Sequence, residues 1–260
     1  MVMLHQMKLR KKPFEQMAKG MKNVEMRLYD EKRRMIKTGD LIEFSLYDDP
    51  DRKIVTRVTA LHRFGSFSEL YEAFPKEKLG YSADDTALPE DMEQFYSKEE
   101  QAEYGVVGIE LRLTGLQKYV DAQEKGYDFG ETYAVALEEI KNGYKESHWI
   151  WYVLPQVQGL GKSGLTAYFS IKDIQEAEDY YAHPVLRSRL EEIASELLKL
   201  DTDDPISIMG MTDAFKLRSC MTLFRQVAPD NAIFQQVLDK YCMGIEDEKT
   251  LYIINQQKSN

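Results

Sequence analysis

Cysteine, histidine and proline are scarce: the 260 residues include two cysteines, four histidines and eight prolines. Cys220 and Cys242 cannot build a disulfide framework, and a reducing cytoplasm is the expected location. His5, His62, His148 and His183 lie far apart with no CxxC or HExxH spacing, so neither a metal site nor a cofactor is expected. No apolar run approaches the ~20 residues of a membrane-spanning helix. The apolar stretch ahead of Lys8 is too short for a secretory signal. Internal repeats, low-complexity tracts and long linkers are missing too. Aromatic residues, by contrast, make up 11% of the chain and are well spread, which indicates folded protein throughout. The length suits one large domain or two ordinary ones.

A formal net charge of −10 makes the chain as a whole a poor nonspecific binder of nucleic acid. The total hides an asymmetry. Residues 1–40 carry 11 Lys and Arg against 5 Asp and Glu, or +6, whereas residues 41–115 and 116–260 each sum to −8. The N-terminal cations are Lys8, Arg10, Lys11, Lys12, Lys19, Lys22, Arg27, Lys32, Arg33, Arg34 and Lys37. If any part of the chain meets phosphate, this stretch is the first candidate.

Local patterns divide the chain in two. Pro13 and Gly20 bracket a short helix, and Val24 to Leu28 alternates as a half-buried strand does. Asp30 caps a second helix, expected to run to the turn at Thr38-Gly39-Asp40. Leu41 to Tyr47 and Lys53 to Phe64 read as strands joined by the turn Asp48-Asp49-Pro50-Asp51. Ser68 caps a short helix, Ser97 with Glu100 forms a capping box for another, and Val106 to Leu113 is the last strand. Such a series predicts a small, partly closed β-barrel. Beyond Thr114-Gly115 the period becomes helical over Leu116–Gln123, Glu131–Asn142, Asp173–Ala182, Pro184–Leu200, Asp213–Val227 and Ala232–Tyr241. The expected class is therefore α+β, with a barrel domain over residues 1–114 and a predominantly α-helical domain over 115–260.

In the first half, Gly20-Met21-Lys22-Asn23-Val24-Glu25-Met26-Arg27 is followed by Gly39-Asp40-Leu41-Ile42-Glu43-Phe44. Strand alternation places Lys22 with Val24 and Met26, and Glu25 with Arg27 on the opposite, polar face. The pattern resembles the ASCH domain, a PUA-like barrel with the signature G-x-K-x-x-E-x-R and then G-D-x-I-x-F, across about residues 7–113. That resemblance implies binding of RNA, nucleic acid or nucleotides, with Lys22, Glu25 and Arg27 as candidate ligand contacts. Some small members of the family deacylate a modified cytidine with a lysine, a threonine and a glutamate. Lys22 matches their lysine, but Glu25 stands where they have threonine.

In the second half, His148-Trp149-Ile150-Trp151 leads through Pro155-Gln156 to Gly159-Leu160-Gly161-Lys162-Ser163. Crowded tryptophans are usually core, yet His148, Trp149, Trp151 and Gln156 could together wall a ligand. Gly161-Lys162-Ser163 is not a Walker loop, because Gln156 occupies the place of its first glycine. Gly159, Gly161, Lys162 and Ser163 remain candidate phosphate contacts through backbone N–H groups. On the next motif helix, Asp213, Lys216 and Cys220 share one face, with Ser219 and Thr222 on an adjoining stripe. Together with His183-Pro184-Val185-Leu186, these segments closely resemble the family called domain of unknown function 1810, over about residues 116–254. Arg187 replaces its usual glycine and Cys220 its usual second serine. A more distant similarity, to the NADAR group, implies ADP-ribose and N-glycoside chemistry.

Two functions follow as expectations. In the first, the barrel recognises nucleic acid or a nucleotide, and the helical domain hydrolyses an N-glycosidic bond of an ADP-ribose-like ligand. Asp213, Lys216, Ser219 and His148 would be catalytic, with Thr222 among the binding residues. The second is a noncatalytic RNA- or nucleotide-binding and sensing module.

Overall fold

The computed structural model describes residues 2–161 and 163–258. The chain divides into two compact units, Met1–Gly115 and Leu116–Asn260. The first is a curled five-stranded sheet among the described residues and the second is mostly helical, which is the α+β class expected.

The strands are β1 (Leu4–Leu9), β2 (Val24–Leu28), β3 (Leu41–Leu46), β4 (Asp49–Phe64) and β5 (Val106–Leu113), in the order β1-β3-β4-β5-β2. β1 runs parallel to β3, and every other pairing is antiparallel. The 16-residue β4 pairs with both β3 and β5, and its register shifts between Val58 and Ala60. A bulge of that kind bends a strand and curls the sheet. Phe14, Ile42, Phe44, Val58 and Ile109 fill one side, while Val24, Met26 and Leu28 pack with Phe67 and Leu70 on the other. β1 and β2 are the two edges, and Arg27 Nη2 joins them by donating to the Lys8 carbonyl at 3.1 Å.

Several boundaries differ from expectation. β1 has no counterpart in the sequence reading. Helix α1 (Lys11–Ala18) starts ahead of Pro13, and α2 (Glu31–Arg34) stops well before Thr38, although Asp30 caps it as expected. β4 begins at Asp49, so only Tyr47 and Asp48 make the turn. Ser66, not Ser68, caps α3 (Phe67–Ala73) by accepting from the Glu69 N–H. A short α4 (Lys76–Leu79), a 3-10 turn (Pro89–Met92) and α5 (Lys98–Tyr104), which carries the expected capping box, follow in the same unit.

The second unit comprises α6 (Gln117–Lys125), α7 (Tyr133–Lys141), α8 (Ile150–Val153), α9 (Gly164–Phe169), α10 (Ile174–Ala182), α11 (Pro184–Lys199), α12 (Pro205–Val227), α13 (Ile233–Cys242) and α14 (Glu248–Lys258). Tyr119, Trp149, Phe169, Tyr180, Phe224 and Phe234 are fully buried in it. α12 starts at Pro205 rather than Asp213 and is broken at Gly210, whose φ of 77° and ψ of 161° are non-helical. Among the described residues, no helix is long and apolar enough to cross a membrane.

The His-Pro-x-Leu motif is a helix start. His183 Nδ1 accepts from the Leu186 N–H, and Pro184 supplies the first helical residue of α11. His183 is 1% exposed, and its Nε2 has no hydrogen-bond partner. Burial, reinforced by Arg189, lowers its pKa to about 4. An unfolded histidine takes up its proton near pH 6.5, so the unfolded state binds more protons between pH 6.5 and 4 and stability falls as pH drops through that window. This contribution amounts to about 3 kcal/mol. In His183→Asn, which keeps a capping side chain, urea midpoints measured from pH 7 to 4 should lose that part of the decline.

Candidate functional site

The barrel holds a cavity of about 560 Å³ beside its two edge strands, lined by residues of β1, β2, α4 and the segment around Phe95. Lys22, Glu25 and Arg27 form its floor. Lys22 lies outside β2, so alternation does not govern it, and its ammonium comes within 3.2 Å of the Glu25 carboxylate. The same ammonium donates to the carbonyls of Val24 and Leu79. Arg27 meets the other Glu25 oxygen at 2.8 Å and donates to the Tyr96 hydroxyl. Burial pushes the Lys22 ammonium below the usual lysine range in spite of Glu25. Burial also opposes the charge on Arg27, but Glu25, Tyr96 and Asp30 outweigh it and hold the guanidinium ionised. Gly80, at φ +101°, leaves room for the Lys22 stem, because a Cβ there would sit 2.9 Å from its Cδ.

The rim of this cavity is cationic and aromatic. Lys8, Arg10 and Lys12 line it, with exposed Tyr47 and Phe95. The Arg10 guanidinium lies 4.6 Å over the Phe95 ring and the Lys8 ammonium 5.8 Å over Tyr47. The lining carries five cations against two carboxylates, Glu25 and Asp91, which suits an anionic ligand with an aromatic ring.

A second constellation lies in the helical unit. The break at Gly210 starts a new helix at Met211 and puts Asp213 in its first turn, where the helix dipole favours a carboxylate. Asp213 is clamped by Lys145 at 2.7 Å and Lys216 at 2.8 Å. Burial alone would raise its pKa, but the hydrogen bonds and charges of the two lysines hold it below the usual carboxylate range. Lys145 lies 5.2 Å over the Trp149 ring and Lys216 lies 4.7 Å over Trp151. Exposed His148 stacks on Trp151, with Phe129 edge-on to it. Gly130 permits this approach, since a Cβ there would collide with the His148 carbonyl at 2.3 Å. Of the residues expected from sequence, Asp213, Lys216, His148, Trp149 and Trp151 thus come together. Trp149 itself is core: it is fully buried, and its indole N–H donates to Glu139 at 2.7 Å.

The remaining candidates are engaged elsewhere. Ser219 donates to the Asp247 carboxylate and Thr222 accepts from the Asp247 N–H, so both hydroxyls anchor the start of α14. Gly159 borders a cavity with Glu248, Lys249, Tyr252 and Ile253 of α14. A Cβ on Gly161 would strike Thr166 at 2.4 Å, and Ser163 caps α9. Lys162 lies outside the described residues. The backbone carbonyl of Gln156 accepts from the Ile171 N–H. Sequence reasoning missed Lys145, Glu139, Phe129 and Phe95. None of these had a pointer in the sequence: Phe95 reaches the basic stretch only through the fold, from a segment 58 residues beyond Lys37.

Comparison with known proteins gives two family matches in order. The ASCH domain model matches residues 7–115, and the model for the protein of unknown function DUF1810 matches residues 113–254. A crystal structure of a conserved hypothetical protein from Mycobacterium tuberculosis is 34% identical, with a TM-score of 0.51, over 55% of this chain and 97% of that one. A crystal structure of a hypothetical protein is 33% identical over 43% of this chain and 99% of its own, with a TM-score of 0.37. A solution structure of a protein from Pyrococcus furiosus is 35% identical over 43% of this chain and 97% of its own, with a TM-score of 0.32. No curated protein matches.

Proposed function

We infer, for a chain that belongs to the DUF1810 family and carries an ASCH domain ahead of it, that the barrel pocket recognises nucleic acid or a nucleotide in the cytoplasm. One observation carries this reading: the buried Lys22–Glu25–Arg27 floor sits under a rim of Lys8, Arg10 and Lys12 with exposed aromatic rings. A guanidinium and a carboxylate side by side match the donors and acceptors of a base edge. Tyr47 and Phe95 offer stacking faces, and the rim cations answer phosphate. Both Glu25 oxygens are engaged by Lys22 and Arg27, which favours recognition over the deacylation that threonine supports in small relatives.

A second reading concerns the helical unit and rests on Asp213 being kept ionised between two lysines beside Trp151 and His148. An ionised carboxylate stabilises the oxocarbenium-like state of N-glycoside cleavage, and the lysines suit the phosphates of an ADP-ribose-like ligand. Lys216 and His148 are the candidate partners in that chemistry. Ser219 and Thr222 are proposed only as supports, through Asp247.

One experiment addresses both readings. The full chain is titrated with a single-stranded RNA carrying ADP-ribose on a base nitrogen, at several salt concentrations, and the RNA is then recovered. Affinity is expected to fall with salt, and by about tenfold in Arg10→Ala/Lys12→Ala. Binding indifferent to salt and to these changes would refute the barrel reading. Release of free ADP-ribose by the parent but not by Asp213→Asn supports hydrolysis in the helical unit, whereas RNA returned intact by both favours the noncatalytic, sensing role.

A further inference from the structure

The barrel contains a second cavity, of about 760 Å³, walled by β1, β3, the start of β4 and the α2 segment. Lys8, Lys32, Arg33 and Lys53 line it against a single carboxylate, Glu43. Lys53 answers Glu43 at 3.3 Å and Arg33 pairs with Asp30, while Lys32 makes no ion pair among the described residues. Lys8 lines both this cavity and the pocket described above, so the two adjoin at β1. Seven of the eleven N-terminal cations line one cavity or the other, and Lys53 makes an eighth basic residue.

We propose that the two cavities form one track for a single-stranded nucleic acid, which passes Lys8 with nucleotides held on both sides of it. The proposal rests on the barrel reading given above and names its ligand as a strand rather than a free nucleotide. A mononucleotide brings phosphate to one place, and the Lys8, Arg10 and Lys12 rim is sufficient for it. Cations continuing past Lys8 to Lys32 and Lys53 match a ligand whose negative charge repeats along its length. An acidic peptide would repeat charge as well, but it would leave Tyr47 and Phe95 without the planar rings that such platforms stack. Residues 41–260 carry a net charge of −16, so the balance of charge outside the N-terminal stretch disfavours a polyanion and adds to the preference for this face.

The test measures binding of adenosine monophosphate and of single-stranded RNA and DNA of two, four and eight nucleotides to the full chain. Affinity should rise at least about tenfold from the mononucleotide to the tetranucleotide, with the RNA and DNA arms showing whether the sugar is read. Lys32→Ala/Lys53→Ala should weaken the octanucleotide about tenfold and flatten its salt dependence by about 1.4, at 0.7 per lost single-strand phosphate contact. The same variant should leave the mononucleotide unaffected. Equal affinity for mono- and octanucleotide, a Lys32/Lys53 variant that binds like the parent, or displacement of the strand by poly-glutamate at matched charge would each overturn the track. In those outcomes the barrel reading stands on the mononucleotide. Failure to bind any probe, mononucleotide included, would remove that reading instead.

Discussion

Glu25→Ala will destabilise the barrel unit by about 3–5 kcal/mol, the usual cost of taking one partner out of a buried ion pair. The carboxylate is 5% exposed and is flanked by Lys22 at 3.2 Å and Arg27 at 2.8 Å, so its loss strips the buried Lys22 ammonium of its ion-pair partner and takes the nearest counter-charge from Arg27. Lys22 has the deeper problem, because its ammonium is as buried as the carboxylate and already shifted toward the neutral form. Replacing Lys22 by methionine in the same chain removes one of the stranded charges and should recover part of the loss. Urea-dependent hydrogen exchange read at the amides of β2 to β5, in the single and double variants, measures both. A single variant as stable as the parent would show that the three charges are solvated and do not form a dry floor.

The two tryptophans should separate cleanly. Trp149→Ala is expected to cost about 3–5 kcal/mol, as large aromatic deletions in a packed core do. Its ring is fully buried, and its indole N–H holds Glu139, which also gathers the N–H groups of Glu146 and Ser147. Trp151 is only half-buried and lies between His148 and Lys216, so Trp151→Ala should cost about 1 kcal/mol or less. Thermal unfolding of the two variants checks the contrast. Equal losses would mean that Trp151 is also core and is no part of a ligand wall.

Both halves of the architecture were legible in sequence because their signals are local. β2, β3 and β5 are short, mainly apolar runs that, with the longer β4, are punctuated by Asp, Pro and Gly, and the long helices carry regular apolar stripes beside recognisable caps. β1 was not legible: Leu4-His5-Gln6-Met7-Lys8-Leu9 has no β-branched residue, and although Met7 and Leu9 face the core against exposed Gln6 and Lys8, so short an alternation beside two polar residues is a weak strand signal. α8 and α9 are too short to establish a period. At the candidate sites, Lys22, Glu25 and Arg27 were found because they are near neighbours in the chain, as were Asp213 and Lys216. Lys145 escaped because it reaches Asp213 from a distant segment, and no spacing rule connects them. Ser219 and Thr222 looked like site residues for the converse reason. They share a helix with Asp213, but their partner, Asp247, lies beyond the next helix.

Arg27 does two jobs with one guanidinium, contributing to the pocket floor and clasping β2 to the Lys8 carbonyl of β1. That doubling constrains how the barrel can diversify. A lineage that changed its ligand by replacing Arg27 would also open the seam between its two free edges, and would need a new clasp at the same step. Arg10, Tyr47 and Phe95 do not clasp the edges, and Lys12 makes only an exposed pair with Asp85, so specificity can drift at the mouth of the pocket while the clasp stays as it is.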